Sequence, residues 1–452
     1  MAAPGPAGGV QRVKAGFLGP WTTPAALRQA CTLPNACRLF ALLLVAWQPF
    51  PGEYRVPLVG SALLGLVLSL RGALPAIAEP VKRLGLLLLC LVIPGLLSIP
   101  TSLAPGKSWG EIAAVALVAL AGISVLYGLR TRTDHQWLQT GLVLVIAAWI
   151  GDGLLQAITG ADLFGITPPP GFVTGPFRPN AIFGIILSVL LPLTFWAPLR
   201  ERNKAGLGLL AGTLIVIVLT GQRNNLLLAA LGLIALSTLW SKKTRLIFIA
   251  FFATALIAAY PLSPALQERG AQIIESTPEI ATGIFNPSST RGQNFDPLKE
   301  LNLISSDRGY LFEAGLKMFR SQPWTGIGIG GFKKAYPSFT TETPPRTNIH
   351  AHNIYLEIMA EQGLVGLAGL ATAILLCFQW YGKADRLKQN EAKPYAYTLL
   401  IMFFPLATHS SLYRAFYFSL VLLVASGFLA ALFSPANPHS AEMAIDQPST
   451  PS

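Results

Sequence analysis

Long apolar segments alternate with short polar connections along almost the whole chain. Twelve segments stand out: 38–51, 56–70, 83–99, 109–129, 136–158, 179–199, 205–220, 225–240, 246–261, 354–380, 395–411 and 413–432. A helix that crosses the hydrocarbon core needs about 20 residues, somewhat fewer where neighbours shelter it. The pattern therefore predicts an all-α polytopic membrane protein with about 12 transmembrane helices. The stretch 39–70 is too long for one spanning helix at about 1.5 Å per residue, and Pro51-Gly52 divides it, so it is read as a hairpin. Between the ninth and tenth segments, residues 261–352 are too many for a passive connector. They read as a helix near 263–276, a Pro/Ser/Asn/Gly-rich stretch over 277–302 and an amphipathic helix near 304–321. A Gly-rich turn, Trp324 to Gly331, follows, and a polar run then leads to His350. The expected organisation is a cytoplasmic tail (1–37), nine membrane helices (38–261), one large periplasmic loop (262–352), three membrane helices (353–432) and a disordered cytoplasmic tail (433–452).

Composition narrows the class. The chain has 452 residues, 52% of them hydrophobic and 12% charged, with a mean hydropathy of +0.53. A soluble domain carries roughly twice that charge, so lipid is the solvent for most of the apolar runs. The net charge of +12 points to no nucleic acid, because the basic residues fall in short clusters between apolar spans, where topology signals belong. Residues 1–37 have no apolar h-region, so no cleavable signal peptide is expected. Cys31, Cys37, Cys90 and Cys377 form no CxxC and no metal-ligand spacing, and none lies in the large loop.

Charge also orients the chain. With the N-terminus inside, nineteen Lys/Arg fall on the cytoplasmic side, including Arg71, Arg83, Arg130, Arg200, Lys242 and Lys388. The short outer connections hold Arg55, Lys107, Arg178, Arg223 and Arg414 alone. This asymmetry predicts both termini in the cytoplasm and the large loop on the opposite face of the membrane.

Candidate chemistry gathers at the outer rim. His350-Ala-His352-Asn353 stands where the large loop re-enters the membrane, and Asn353, Glu357 and Glu361 follow four apart, on one helical face. Carboxylates in a membrane helix usually face an aqueous cavity or a partner, and a neutral histidine at such a rim can take a proton from a sugar hydroxyl. A polar helix cap with interfacial histidines is the plainer alternative. A zinc site is disfavoured, since HxH lacks the i, i+4 spacing and no third ligand is evident. Gly326, Gly328, Gly330 and Gly331 have the look of a nucleotide loop, but no strand precedes them; a tight turn that sets Trp324 and Phe332 against the membrane surface fits better. Arg178, Arg223, Arg308 and Arg414 oppose the topology trend, and together they suit a pyrophosphate, although snorkelling to headgroups accounts for any one of them alone. Asp152, flanked by Gly151 and Gly153, is read as an arginine partner or a helix–helix hydrogen bond.

Three stretches, Arg308-Gly-Tyr-Leu-Phe-Glu-Ala-Gly-Leu-Lys-Met-Phe, Pro323-Trp-Thr-Gly-Ile-Gly-Ile-Gly-Gly-Phe332 and His350-Ala-His-Asn-Ile-Tyr-Leu-Glu-Ile-Met-Ala-Glu-Gln-Gly-Leu-Val-Gly366, resemble the diagnostic region of the O-antigen ligase/polymerase superfamily. Gly175–Asn180 and Gly221–Asn225 are similar to two shorter family stretches. The resemblance implies a GT-C type, metal-independent inverting glycosyltransferase with no cofactor. It implies an undecaprenyl-diphosphate-linked glycan donor and, as acceptor, lipid A–core (ligase) or a growing glycan (polymerase). It implies that His352, with His350 beside it, is the catalytic base, and that Arg178, Arg223 and Arg308 hold the diphosphate. Arg414, Asn353 and Glu361 complete the candidate substrate-binding set. A small-anion transporter is the rival from another class; it predicts broken helices and charges near the bilayer midplane and paired repeats, and no internal repeat is found.

Overall fold

A computed structural model of the chain describes residues 32–50, 52, 55–177, 182–259, 267, 271, 308–340, 349–406 and 411–434. Among these no strand occurs, and each of the twelve apolar segments overlaps a helix at least in part. The helices are α1 (Leu33–Ala46), α2 (Arg55–Leu70), α3 (Ala78–Leu97), α4 (Pro105–Gly128), α5 (Arg132–Thr159), α6 (Ile182–Arg200), α7 (Lys204–Leu219), α8 (Arg223–Ser237) and α9 (Lys242–Ala259). They are followed by α10 (Gly309–Ser321) in the large loop and by α11 (Ile354–Lys383), α12 (Arg386–Met402) and α13 (Ala415–Phe433). Six of the described helices are long and apolar enough to cross a membrane: α3 with its leading 3-10 turn, α4, α5, α6, α11 and α13. Four more, α1, α2, α7 and α8, are apolar but shorter.

Local chemistry sets the boundaries. Thr131 and Asp134 form a reciprocal capping box at the start of α5, while Asn203 caps α7 and Asp385 caps α12. The expected 395–411 helix is displaced to Arg386–Met402. The Asp385 cap starts it early, in a polar stretch, and Pro405 bars the residue before it from continuing the helix. The loop helix expected at 304–321 starts at Gly309. Of the helix expected near 263–276, only Gln267 and Ala271 are described, both helical; the rest, and the 277–302 stretch, lie outside the described residues.

α6 and α13 are apolar all round and mostly buried, as befits helices at the centre of a bundle. α13 packs on α1, α2, α3, α4, α5 and α12, and α6 packs on α5, α7, α8 and α12. The loop helix α10 turns Leu311, Ala314, Gly315 and Met318 inward, a spacing of i, i+3, i+4 and i+7. With Ile327, Phe332 and Tyr336 they form a small second core that seats α10 on α11, where Gly315 faces Leu356.

Candidate functional site

The site is built on a broken helix. Within α11 Gly363 has φ +62 and ψ −156, so the helix, which starts at Ile354, is interrupted in its third turn. A break inside a membrane frees backbone groups that must find partners within the protein. Here the loop Pro323–Gly331 supplies them. Leu364 and Val365 donate to the carbonyls of Pro323 and Trp324 (2.9 and 3.2 Å), and the carbonyls of Ala360 and Glu361 accept from the N–H groups of Ile327 and Gly328 (3.0 and 2.9 Å). The same loop is held from its other side by the α3–α4 connection: Thr101 donates to the Gly326 carbonyl, Ser108 to the Ile329 carbonyl, and Ser98 Oγ accepts from Ile329 N–H. Gly326 adopts φ +69, and a Cβ there would collide with the backbone of Glu361 and Gln362.

The Gly-rich loop does cradle a carboxyl group, but one of the protein's own. Gly330 N–H donates to Glu361 Oε2 (2.8 Å) and Phe332 N–H to Oε1 (2.9 Å). Successive backbone N–H groups in such turns make anion-binding concavities, and this one is filled by Glu361. The geometry therefore gives Glu361, expected to contact substrate, the role of locking the loop onto α11. Phe332 is buried in the loop core rather than set against the membrane, whereas Trp324 is exposed. Asn353 is likewise engaged: its Oδ1 caps α11 by accepting from Leu356 N–H (3.0 Å), and its Nδ2 donates to the Pro405 carbonyl (2.8 Å). Tyr355 and Tyr417 take the carbonyls of Phe403 and Met402, so the end of α12 is tied to α11 and α13 through the carbonyls a helix terminus leaves open.

Above this frame sit the histidines. Their ring centroids are 3.8 Å apart, and His350 Nδ1 accepts the backbone N–H of His352 (3.1 Å). That bond leaves the neutral His350 ring its proton on Nε2, so its open nitrogen is a donor and not a base. Burial pushes the His350 pKa down to about 3, and the positive charges of Arg414 and Arg308 push the same way. His352 is less buried and has φ +53, a left-handed backbone that costs a residue with a Cβ about 1–2 kcal/mol. Strain of this kind persists only where the surroundings enforce it, and it concentrates at functional sites.

The depressed His350 value has a consequence for stability. The unfolded imidazole, with an ordinary pKa of 6.5, takes up a proton that the folded one refuses. The contribution of His350 is therefore complete above about pH 6.5 and is lost as pH falls from there towards 3. Thermal unfolding of the purified protein at pH 7.5 and pH 4.5 checks this: the acid-induced drop in Tm is expected to be smaller in His350→Gln than in the unaltered chain.

The structure brings His350, His352, Arg308, Arg414 and Glu357 to one rim. Glu357, buried on α11, is hydrogen-bonded to Ser411 and within the field of Arg414 and Glu111; its Oε2 has no hydrogen-bond partner among the described residues. Arg223 heads α8 at the α6 contact, where Ser188 Oγ donates to the Asn225 carbonyl, and it is not among the charges acting on His350. Arg178 lies outside the described residues. Asp152 pairs with no arginine in the described set; it accepts Leu163 N–H (2.7 Å) and anchors the turn after α5. Sequence reading passed over Ser411, Glu111 and the Gln362–Tyr413 hydrogen bond (2.9 Å), all ordinary residue types in connections or helix starts.

Two cavities adjoin the rim. One, of about 650 Å³, is almost wholly apolar and runs between α3, α11, α12 and α13 from Tyr355, Pro405 and Leu412 to Lys393. The other, of about 660 Å³, is polar and opens beside Arg414.

Fold and site together define a multi-pass α-helical membrane protein with a histidine–arginine cluster at one end of its bundle. Residues 207–371 match the model of the O-antigen ligase family. That stretch runs from α7 into α11 and includes Arg223, Arg308, the Gly-rich loop and both histidines. Over 315 residues the chain is 25% identical to the exopolysaccharide production protein ExoQ of Rhizobium meliloti (strain 1021), over 65% of this chain and 62% of that protein. The alignment thus spans less than two thirds of the relative's length. Over residues 207–371 the chain is therefore similar to the O-antigen ligase family.

Proposed function

We propose that the protein transfers a glycan from an undecaprenyl-diphosphate carrier to an acceptor hydroxyl at the periplasmic face of the inner membrane, in the manner of an O-antigen ligase acting on lipid A–core. The observation that carries this reading is the rim itself: a strained His352 beside a neutral His350, within the field of Arg308 and Arg414, with Tyr355 and Leu412, close in the chain to His352 and Arg414, lining an apolar groove. A polyprenyl chain suits the groove, and guanidinium groups suit a diphosphate. Since a lipid diphosphate is already a good leaving group, positioning and charge stabilisation supply most of what the reaction needs. His352 then accepts the acceptor's proton, while Arg308 and Arg414, with Arg223 and Arg178 as further candidates, bind the departing diphosphate. No metal enters this scheme.

Polymerase activity on a growing glycan is the second reading, favoured by the likeness to an exopolysaccharide production protein. The transporter reading loses its main support at Gly363. A broken helix in a transporter offers its freed backbone to an ion, whereas the groups freed here are bonded to the 323–331 loop.

Purified protein, lipid-linked glycan and lipid A–core are expected to give the joined product in the presence of EDTA, with Arg308→Ala slowing it about ten- to a hundred-fold. No product from any glycan acceptor would overturn the transferase reading, and EDTA inhibition reversed by zinc would replace the mechanism. Orientation is tested separately. A phosphatase fused at Asn294 is expected to be active and one fused at Lys388 inactive, and the reverse result puts the rim on the wrong side of the membrane.

A further inference from the structure

We infer that the polar cavity beside Arg414 is a binding site for a phosphorylated acceptor glycolipid, distinct from the groove that takes the donor's tail; this rests on the transferase reading above. Among the described residues its wall carries Arg55, Lys107 and Arg414 against one carboxylate, Glu111, which is itself paired with Lys107 one helical turn away. The described lining is therefore net positive.

Backbone dipoles add to that charge. α2, α4 and α13 all begin at this cavity, and helix N-termini present unsatisfied N–H groups that favour anions. Neither Ala104, which precedes α4, nor Arg414, which precedes α13, provides a side-chain cap. A further observation is independent of charge. Gln48 lines the cavity and is only 7% exposed. Its Nε2 donates to the Leu44 carbonyl, with longer contacts to the Phe416 carbonyl and Ser419 Oγ, while its Oε1 is buried with no partner among the described residues. A buried acceptor without a donor is uncommon, and this one belongs to a residue of the cavity wall.

Placement separates this ligand from the donor. The segment Leu412–Phe418 divides the two cavities: Leu412 faces the apolar groove, Tyr413 and Arg414 face the polar cavity, and Phe418 touches both. Arg414 also acts electrostatically on His350, so the polar cavity meets the donor rim at that residue. In an inverting displacement the acceptor oxygen bonds to the anomeric carbon on the face opposite the breaking bond to the diphosphate oxygen. The acceptor proton passes to His352, and the bonding pair leaves on the lipid diphosphate. Two substrates entering from opposite sides of Leu412–Phe418 satisfy that requirement, with the acceptor's phosphate held by Arg55, Lys107 and the helix starts.

The test uses the full chain carrying Arg55→Gln and Lys107→Gln together, with lipid A–core supplied either phosphorylated or after phosphatase treatment. Acceptor KM for the phosphorylated form is expected to rise about tenfold. Donor KM and kcat at saturating acceptor are expected to hold, and the phosphatase-treated acceptor should no longer distinguish the variant from the unaltered protein. Direct binding of the phosphorylated acceptor to purified protein without donor should weaken by the same factor, which gives a readout that needs no turnover. A rise in donor KM instead would assign the cavity to the donor diphosphate. Unchanged acceptor KM and binding would leave the cluster a solvated surface. Either result overturns the inference, whereas failure of the unaltered protein to turn over with normal acceptor binding would overturn only the transferase reading.

Discussion

Replacing His352 by alanine is expected to lower glycan transfer by about 10²- to 10⁴-fold, the usual loss when a general base is removed. The ring that remains, His350, cannot substitute for it. Its Nδ1 is engaged by a backbone N–H, its other nitrogen carries the proton, and burial, aided by two arginines, holds its pKa far below neutrality. His350→Ala should therefore weaken transfer without abolishing it. The strain at His352 adds a second readout. Glycine adopts φ near +53 without penalty, so His352→Gly is expected to be inactive yet no less stable than the parent, and more stable by up to about 1–2 kcal/mol. Single-turnover rates alongside thermal unfolding separate the two effects. Near-normal turnover in His352→Ala would remove the proposed base.

The second large effect is expected far from any reacting atom. Gly326→Ala forces a Cβ into the backbone of Glu361 and Gln362 at a position with φ +69. The conformational penalty is about 1–2 kcal/mol, and overpacking adds about 1–3 kcal/mol, so a loss of about 2–5 kcal/mol follows. Because the same loop satisfies the break at Gly363, the damage should reach α11 and the residues that precede it. The expected result is low membrane abundance or a sharply reduced Tm, with transfer lost in what remains. Gly151→Ala is the control: it lies inside α5 with nothing within 4 Å of the added carbon and should be neutral or slightly stabilising. Equal stability of the two variants would show that the loop is not the clamp described here.

Much of the architecture was legible because the signals for membrane helices are local. A run such as Ile182–Arg200 or Ala415–Phe433 is apolar all round, and no tertiary contact is needed to recognise it. The His350-Ala-His352-Asn353 motif was equally visible, since it sits at the boundary between a polar stretch and an apolar one. Boundaries were less legible where caps compete with hydropathy, as at α12, which Asp385 starts well before the apolar stretch begins.

Side-chain partners were not legible at all. Asn353, Glu357 and Glu361 share a helical face in the sequence, yet their oxygens go to three different places: the cap of α11 and, through the Asn353 amide, the α12–α13 connection; Ser411; and the Gly-rich loop. Nothing in the pattern Gly-x-Gly-x-Gly-Gly indicated that its N–H groups would close around a carboxylate thirty residues downstream. Periodicity and charge asymmetry are properties of consecutive residues, so the sequence by itself determined the all-helical class, the approximate extents of most apolar helices and the position of the histidines between loop and helix. Which polar atoms are engaged, which are left open, and which arginines reach His350 depends on contacts between segments far apart along the chain, and only the packed tertiary structure decided those.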